Sequence, residues 1–364
     1  MAETITPGSR CCANEFHNVG RACPANENSQ IRLTPGGHRR VSIPAMTDPL
    51  LPDPLLSGAL LPGPLVDDVW LAARLGDPRL VVLDATALLP SPRHDGDHRS
   101  GSGRAEWAER HIPGSRHADL TGELSDQGAP YHFAVPAPEA LAAALRRLGV
   151  RDGSEVVAYD SGGGIWAARL WWMLRSISVP VAVLDGGWQA WETGGHPIAR
   201  GDETGRGETG SGEMGGGGAS ATPVIGPLTP VPRPGMWTGI ETVGAVSRGE
   251  RPGTLVCALP PGGFDGSAFT RYSRRGHIPG SLSLPGRGLL DGTGRFLPAV
   301  ELAERVGAVL KGEESSVILY CGGGISAAGT ALALTLLGRQ DITLYDGSLE
   351  EWSQDPSRPL TTGT

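Results

Sequence analysis

One cysteine stands apart by its surroundings. Cys321 ends an apolar run, VILYC (317–321), and is followed by GGGIS (322–326) and then AAGTALALTLLG (327–338). The run reads as a buried strand and the last segment as a helix. Cys321 is thus delivered to the C-terminal end of a strand, where ligands bind in parallel α/β sheets. Gly322, Gly323 and Gly324 let the chain curl so that successive backbone N–H groups point inward, beside a helix N-terminus. Ile325 and Ser326 complete the loop. Such a cradle attracts negative charge, so a thiolate there is favoured and nucleophilic near neutral pH. The same cradle would hold the extra sulfur of a persulfide anion.

The same loop can be read for other chemistries. A cysteine at a strand end can simply pack as a small hydrophobe, but the loop length, the glycines and the helix start favour the reactive reading. A phosphate-binding Walker loop needs a closing GK[ST], which is missing. A cysteine phosphatase places an Arg six residues after the nucleophile to clamp phosphate. That position is Ala327. Cys257, within the strand TLVCALP (254–260), has no such loop and is expected to be structural.

The elements around Cys321 occur twice. HIPGS begins at His111 and again at His277; Tyr159-Asp160 answers to Tyr320-Cys321; Asp185-Gly186 to Asp346-Gly347; Trp191 to Trp352. From Tyr159 onward these landmarks keep one offset of 161. A constant register through strand, loop, helix, strand and helix marks a repeat at domain scale. In the first copy, Asp67–Leu75 reads as a helix, 79–86 as a strand, 138–150 as a helix, 154–160 as a strand, 165–177 as a helix and 179–191 as strand plus short helix. The second copy runs from 254–260 through helix 299–310 and strand 315–321 to 342–352. Alternating strands and helices predict the α/β class, two tandem domains each with a parallel sheet flanked by helices. The expected division is an unstructured extension over 1–64, a first domain over 65–200, a flexible Gly-rich then Pro-rich linker over 201–234, and a second domain over 235–364. Residues 1–45 are polar and aperiodic, and Met46 offers a second starting point.

The chain of 364 residues suffices for two domains, and 55 Gly with 31 Pro point to linkers as well as turns. The net charge of −8 and the lack of a basic run argue against nucleic acid. No apolar stretch reaches the ~18 residues of a membrane span, and no secretory leader is read at the N-terminus. The five cysteines form neither a CxxC pair nor a disulfide framework, which fits a reducing cytoplasmic setting.

With these motifs assembled, the chain resembles the tandem-domain sulfurtransferases, the rhodanese and 3-mercaptopyruvate sulfurtransferase family. The resemblance covers ~280 residues, from about Val66 to Leu360 without the linker, and is carried by the two HIPGS segments, AARLWWMLR (167–175), LDGGWQAW (184–191), YCGGGIS (320–326) and YDGSLEEW (345–352). It implies a nucleophile only in the second domain, consistent with Asp160 at the equivalent place in the first. The neutral loop CGGGIS is closer to the mercaptopyruvate loop, which resembles CGSGVT, than to rhodanese loops with basic residues after the cysteine. A neutral loop leaves anion binding to residues elsewhere. Arg169 matches a family arginine that contacts the substrate anion, as a guanidinium can clamp a carboxylate bidentately. Arg175, six residues on, is a second candidate on another part of the helix. His111 matches a histidine of a Ser–His–Asp relay in the mercaptopyruvate branch. The serine of that relay falls on Gly323, however, and no Asp in DGDHRSGSGRAEW clearly corresponds, so a turn role shared with His277 is the stronger reading. Trp171, Trp172, Trp188, Trp191 and Trp352 are expected in core and interface packing.

The resemblance implies ping-pong transfer. The Cys321 thiolate takes sulfur from thiosulfate or 3-mercaptopyruvate, and the persulfide passes it to cyanide, a small thiol or thioredoxin. No metal or organic cofactor is implied. The alternatives are a persulfide carrier that serves one protein partner without free turnover, and a phosphatase-like hydrolase.

Overall fold

A computed structural model describes residues 56, 59–201, 226–310 and 316–363. Most of the extension expected over 1–64, and most of the expected linker, lie outside the described residues.

The first repeat runs β1 (Leu65–Val66), α1 (Asp68–Ala72), β2 (Leu80–Asp84), β3 (Ala87–Leu88), β4 (Gly101–Ser102), α2 (Arg104–Glu109), β5 (Arg116–His117), α3 (Pro138–Arg147), β6 (Glu155–Tyr159), α4 (Ile165–Ser176), β7 (Val181–Leu184) and α5 (Gly187–Thr193). The second runs β8 (Trp237–Thr238), α6 (Ile240–Ser247), β9 (Thr254–Cys257), α7 (Pro261–Phe264), β10 (Leu282–Ser283), a 3-10 turn (Gly286–Leu289), α8 (Ala299–Val309), β11 (Val317–Tyr320), α9 (Ile325–Leu336), β12 (Ile342–Tyr345) and α10 (Ser348–Trp352). The sheets are ordered β1-β7-β6-β2-β5 and β8-β12-β11-β9-β10. Every pairing in them is parallel. The orders are the same, repeat for repeat. β6 and β11 are the central strands and are fully buried, apolar except for Glu155 at the start of β6, as a strand covered on both faces must be.

The helices that follow these central strands pack against each other. Nearly every residue of α4 from Trp166 to Ser176 is buried, and so are most of those of α9. A helix buried all round must lie between layers; here α4 and α9 sit between the two sheets, and one apolar cluster runs from Val156 and Trp171 through to Val317 and Leu332. The five tryptophans named above are all at most 5% exposed, within such clusters.

The HIPGS turns serve the same purpose in both copies. His111 and His277 donate through Nδ1 to the carbonyls of Trp107 and Phe264 at 2.8 Å, and each stacks on that aromatic ring. Each also pairs its backbone with the chain end of its domain, at Ala199 and Thr361. The next residue's N–H donates to the hydroxyl of Tyr159 or Tyr320. The indole N–H groups of Trp191 and Trp352 reach the carbonyls of Pro197 and Pro359 at 2.8 and 2.9 Å.

Two boundaries differ from expectation. Residues 59–64, expected within the extension, dock on the first domain: the N–H groups of Leu60 and Leu61 donate to the Glu155 carboxylate at 2.7 and 2.8 Å, and Leu61 is buried. Residues 226–234, expected within the linker, also dock there. Leu228 is buried, and the N–H groups of Val231 and Arg233 donate to the carbonyls of Ile177 and Ser176. Proline removes the donor at its own position only, so the intervening residues still bond.

Candidate active site

Cys321 follows β11 directly and is 2% exposed, with a free thiol. Gly324 precedes α9 with φ +75°, a left-handed conformation that suits glycine. A Cβ at Gly324 would lie 2.9 Å from Arg169 Nη1 and 3.1 Å from the Asp346 carbonyl. The position therefore requires glycine for space as well as for backbone.

The first turn of α10 holds the loop from behind. The N–H groups of Leu349 and Glu350 donate to the carbonyls of Cys321 and Gly322 at 3.1 and 2.8 Å. The Cys321 N–H donates to Ser348 Oγ at 3.1 Å, and Ser348 Oγ donates to the Tyr345 carbonyl at 2.9 Å. The first loop carbonyls are thus engaged by α10. Ser348 is completely buried and has φ +50°, an uncommon conformation for a residue with a side chain. Nothing in the sequence marks it apart from its place after the second Asp-Gly.

The first repeat shows what this loop geometry does with an anion. Asp160, in the place of Cys321, accepts from the N–H groups of Gly162, Gly164 and Ala167 at 2.7, 2.9 and 2.8 Å. Burial pushes its carboxyl above the ordinary range, and these three donors oppose that rise. Ile165 and Ile325 open the two helices, each after a left-handed glycine, so within the loop Gly164 corresponds to Gly324 and Ala167 to Ala327, whose N–H groups take the same places at the helix start.

Cys321, Gly322, Gly323, Ile325 and Ser326 line a cavity of about 490 Å³. Its other walls include Phe133 and His98 from the first domain and Arg271, Tyr272 and Glu350 from the second. The Arg271 Nη2 donates to the carbonyls of Leu89 and Pro90 at 3.1 and 2.8 Å, across the two repeats. Its Nε has no hydrogen-bond partner among the described residues. Arg271 is the arginine among the residues that line this cavity. The sequence signal was RYSRR (271–275), just before the second HIPGS.

The other predicted residues lie elsewhere. Arg169 is fully buried and is not part of this cavity wall. Its Nη2 donates to Asp346 Oδ1 at 2.6 Å and to the Phe133 carbonyl at 2.7 Å, and its guanidinium lies over Trp237. Nη1 has no hydrogen-bond partner among the described residues and faces Gly324. Asp346 also accepts from the Val135 N–H at 2.9 Å. The pair therefore joins α4, the 131–135 segment and the turn before α10. Arg175 lies over the Trp171 ring, outside the cavity wall. His111 is at the turn described above, also outside it. A hydrogen-bonded Ser–His–Asp set does occur, but through His117: Asp84 Oδ1 at 3.0 Å on one ring nitrogen and Ser102 Oγ at 2.9 Å on the other. It is an internal feature of the first repeat, which the spacing of these residues does not announce. Cys257 is fully buried in β9, and burial pushes its thiol up to about 12.

The model of the rhodanese-like domain family matches residues 68–193 and 262–355. A Pseudomonas aeruginosa protein named "Probable 3-mercaptopyruvate sulfurtransferase" is 34% identical over 307 residues, covering 80% of this chain and 96% of that one. The Arabidopsis thaliana "Thiosulfate/3-mercaptopyruvate sulfurtransferase 1, mitochondrial" is 32% identical, covering 82% and 78%. Among solved structures, the Escherichia coli 3-mercaptopyruvate sulfurtransferase SseA superposes with a TM-score of 0.63 at 29% identity, over 78% of this chain and 98% of that one. The chain belongs to the rhodanese-like family, in its two-domain form. Among the described residues no helix is long and apolar enough to cross a membrane.

Proposed function

We propose that this protein is a sulfurtransferase that carries sulfane sulfur on Cys321, with 3-mercaptopyruvate as the preferred donor and thiosulfate as the second. The observation that carries this reading is the anion cradle. The fold of this loop holds a buried carboxylate in the first repeat on three N–H groups, and a cysteine stands at that place in the second.

In the first half-reaction the Cys321 thiolate attacks the donor's outer sulfur. A new S–S bond forms as the donor's C–S or S–S bond breaks. Its electron pair leaves on the enolate of pyruvate, which takes up a proton, or on sulfite. The outer persulfide sulfur carries the negative charge, against the loop N–H groups that lead into α9, among them those of Gly324 and Ala327. Fixed dipoles aimed at that charge lower both barriers. In the second half-reaction an acceptor thiolate or cyanide attacks this sulfur, and the Cys321 thiolate is released. Arg271 binds the donor's carboxylate or sulfonate from the opposite wall. Arg169 acts behind the loop as a positioning residue, and His111 and Arg175 take no part in the chemistry. The acceptors are a small thiol, thioredoxin or cyanide, and the working compartment is the cytoplasm, where thiols are kept reduced.

Steady-state transfer to cyanide tests the reading. Turnover is expected with 3-mercaptopyruvate in preference to thiosulfate, and is expected to vanish in Cys321→Ala. A thiosulfate preference would overturn the donor assignment. Absence of turnover with both, together with a persulfide that forms, would make the chain a carrier for a protein partner.

A further inference from the structure

A second group of chemically able side chains stands at the rim of the Cys321 cavity. His98 and His132 stack face to face, their ring centroids 3.5 Å apart and their planes 9° apart. His132 Nδ1 makes a short hydrogen bond to Glu350 Oε1. One ligand atom from each of His98, His132 and Glu350 lies within 4.8 Å of the others. His98 and Glu350 also line the cavity itself, while the His132 side chain is half-exposed beside it.

All three segments are pinned in place. The turn before His98 is held on the second domain, where the Gly96 N–H donates to the carbonyls of Thr270 and Tyr272 at 3.0 and 3.1 Å. His132 is flanked by Tyr131, whose hydroxyl reaches Asp346, and by Phe133, whose carbonyl accepts from Arg169. The Glu350 N–H is bonded to the Gly322 carbonyl, within the Cys321 loop. The backbone thus fixes three ligand-bearing positions from both repeats around one point, and only side-chain rotation remains.

We propose that His98, His132 and Glu350 form a binding site for one divalent ion of the zinc class at the entrance to the Cys321 cavity. Two imidazole nitrogens and one carboxylate oxygen are the donor set that zinc takes in sites with an open fourth position. The ligand atoms must draw together by rotation about the side-chain bonds of His132 and Glu350. The Glu350 carboxylate supplies the negative charge that offsets Arg271 on the same cavity wall. A bound ion would tie the two repeats together and narrow the entrance. The consequence for turnover rests on the sulfurtransferase reading, whereas the binding itself does not.

The test uses the full chain with Cys11→Ser, Cys12→Ser, Cys23→Ser and Cys321→Ser, so that these thiols do not compete for the ion, and cobalt(II) as a visible probe. One cobalt per chain is expected to bind with the visible absorption of nitrogen and oxygen ligation, and zinc is expected to displace it. His132→Ala and the conservative Glu350→Gln, each added to that background, should weaken binding by roughly tenfold or more, as loss of a ligand does. Thermal midpoints in the presence of a chelator report whether each variant is folded. Lack of saturable cobalt binding in the folded parent background, or binding unchanged in both variants, would overturn the site and leave the His132–Glu350 pair as a plain contact between repeats.

Discussion

Replacing Arg169 separates two roles that one arginine could have. As a substrate clamp its loss would raise KM and leave stability alone. As the inner half of a buried pair its loss would unfold the protein more easily. Arg169 and Asp346 have side-chain exposures of 1% and 8%, and their contact is 2.6 Å. Removing one partner of such a pair costs about 3–5 kcal/mol, because the other charge stays buried without compensation. Asp346 keeps the N–H of Val135 and a long contact with Tyr131, which places Arg169→Met near the lower figure, about 3 kcal/mol. At roughly 2–4 °C per kcal/mol for units of this size, the midpoint should fall by about 6–12 °C. Asp346→Asn retains an acceptor for Val135 and removes the charge. In the double variant the two losses should be less than additive by at least about 1 kcal/mol. The assay is a denaturant double-mutant cycle, with steady-state kinetics on each folded variant. An Arg169→Met protein with the parent's midpoint and a KM raised about tenfold for the donor would refute the reasoning and restore the clamp.

Arg271→Leu should raise KM for anionic donors by about tenfold with kcat little changed, because it removes binding common to ground and transition states; an unchanged KM would place the anion contact elsewhere. Ser348→Gly and Ser348→Ala both lose the acceptor for the Cys321 N–H, but only the glycine relieves the φ of +50°. The alanine variant should therefore be less stable than the glycine variant by about 1 kcal/mol in chemical unfolding, and equal stabilities would deny the strain. Asp68 gives a pH dependence. Burial raises its pKa, yet hydrogen bonds from Arg295 and His196 outweigh this and lower it below 3.8. Its contribution is present in full above about the ordinary value and is lost as pH falls through the lower folded value. Unfolding midpoints followed down to about pH 3 should show a shallower acid decline in Asp68→Asn than in the parent, and parallel declines would contradict the assignment.

The sequence carried the repeated frame because a shared register is a local property. Tyr159 and Tyr320, Trp191 and Trp352, and the two HIPGS turns each occupy matching positions, and their side chains make matching bonds. The loop around Cys321 was legible for the same reason: a strand, three glycines and a helix follow one another directly. What escaped was the set of contacts made between distant segments. Arg271 reaches the cavity because the carbonyls of Leu89 and Pro90 hold it from the other repeat. Ser348 matters through a backbone angle that its residue type does not advertise. The two-residue strands at the sheet edges, such as β1 and β8, are too short to show a period. For Arg169 a signal existed. IWAARLWWMLRSI has no polar face, so an arginine within it must be buried and paired, and only the partner 177 positions away was invisible.

The central claim is that sulfur rides on Cys321. Purified protein should be incubated with 3-mercaptopyruvate in the absence of acceptor, digested without reductant, and its peptides weighed. One added sulfur atom is expected on the peptide containing Cys321, removed by cyanide and missing in Cys321→Ser. An unmodified Cys321 peptide in protein that still turns over, or added sulfur on Cys257 or another cysteine instead, would contradict it.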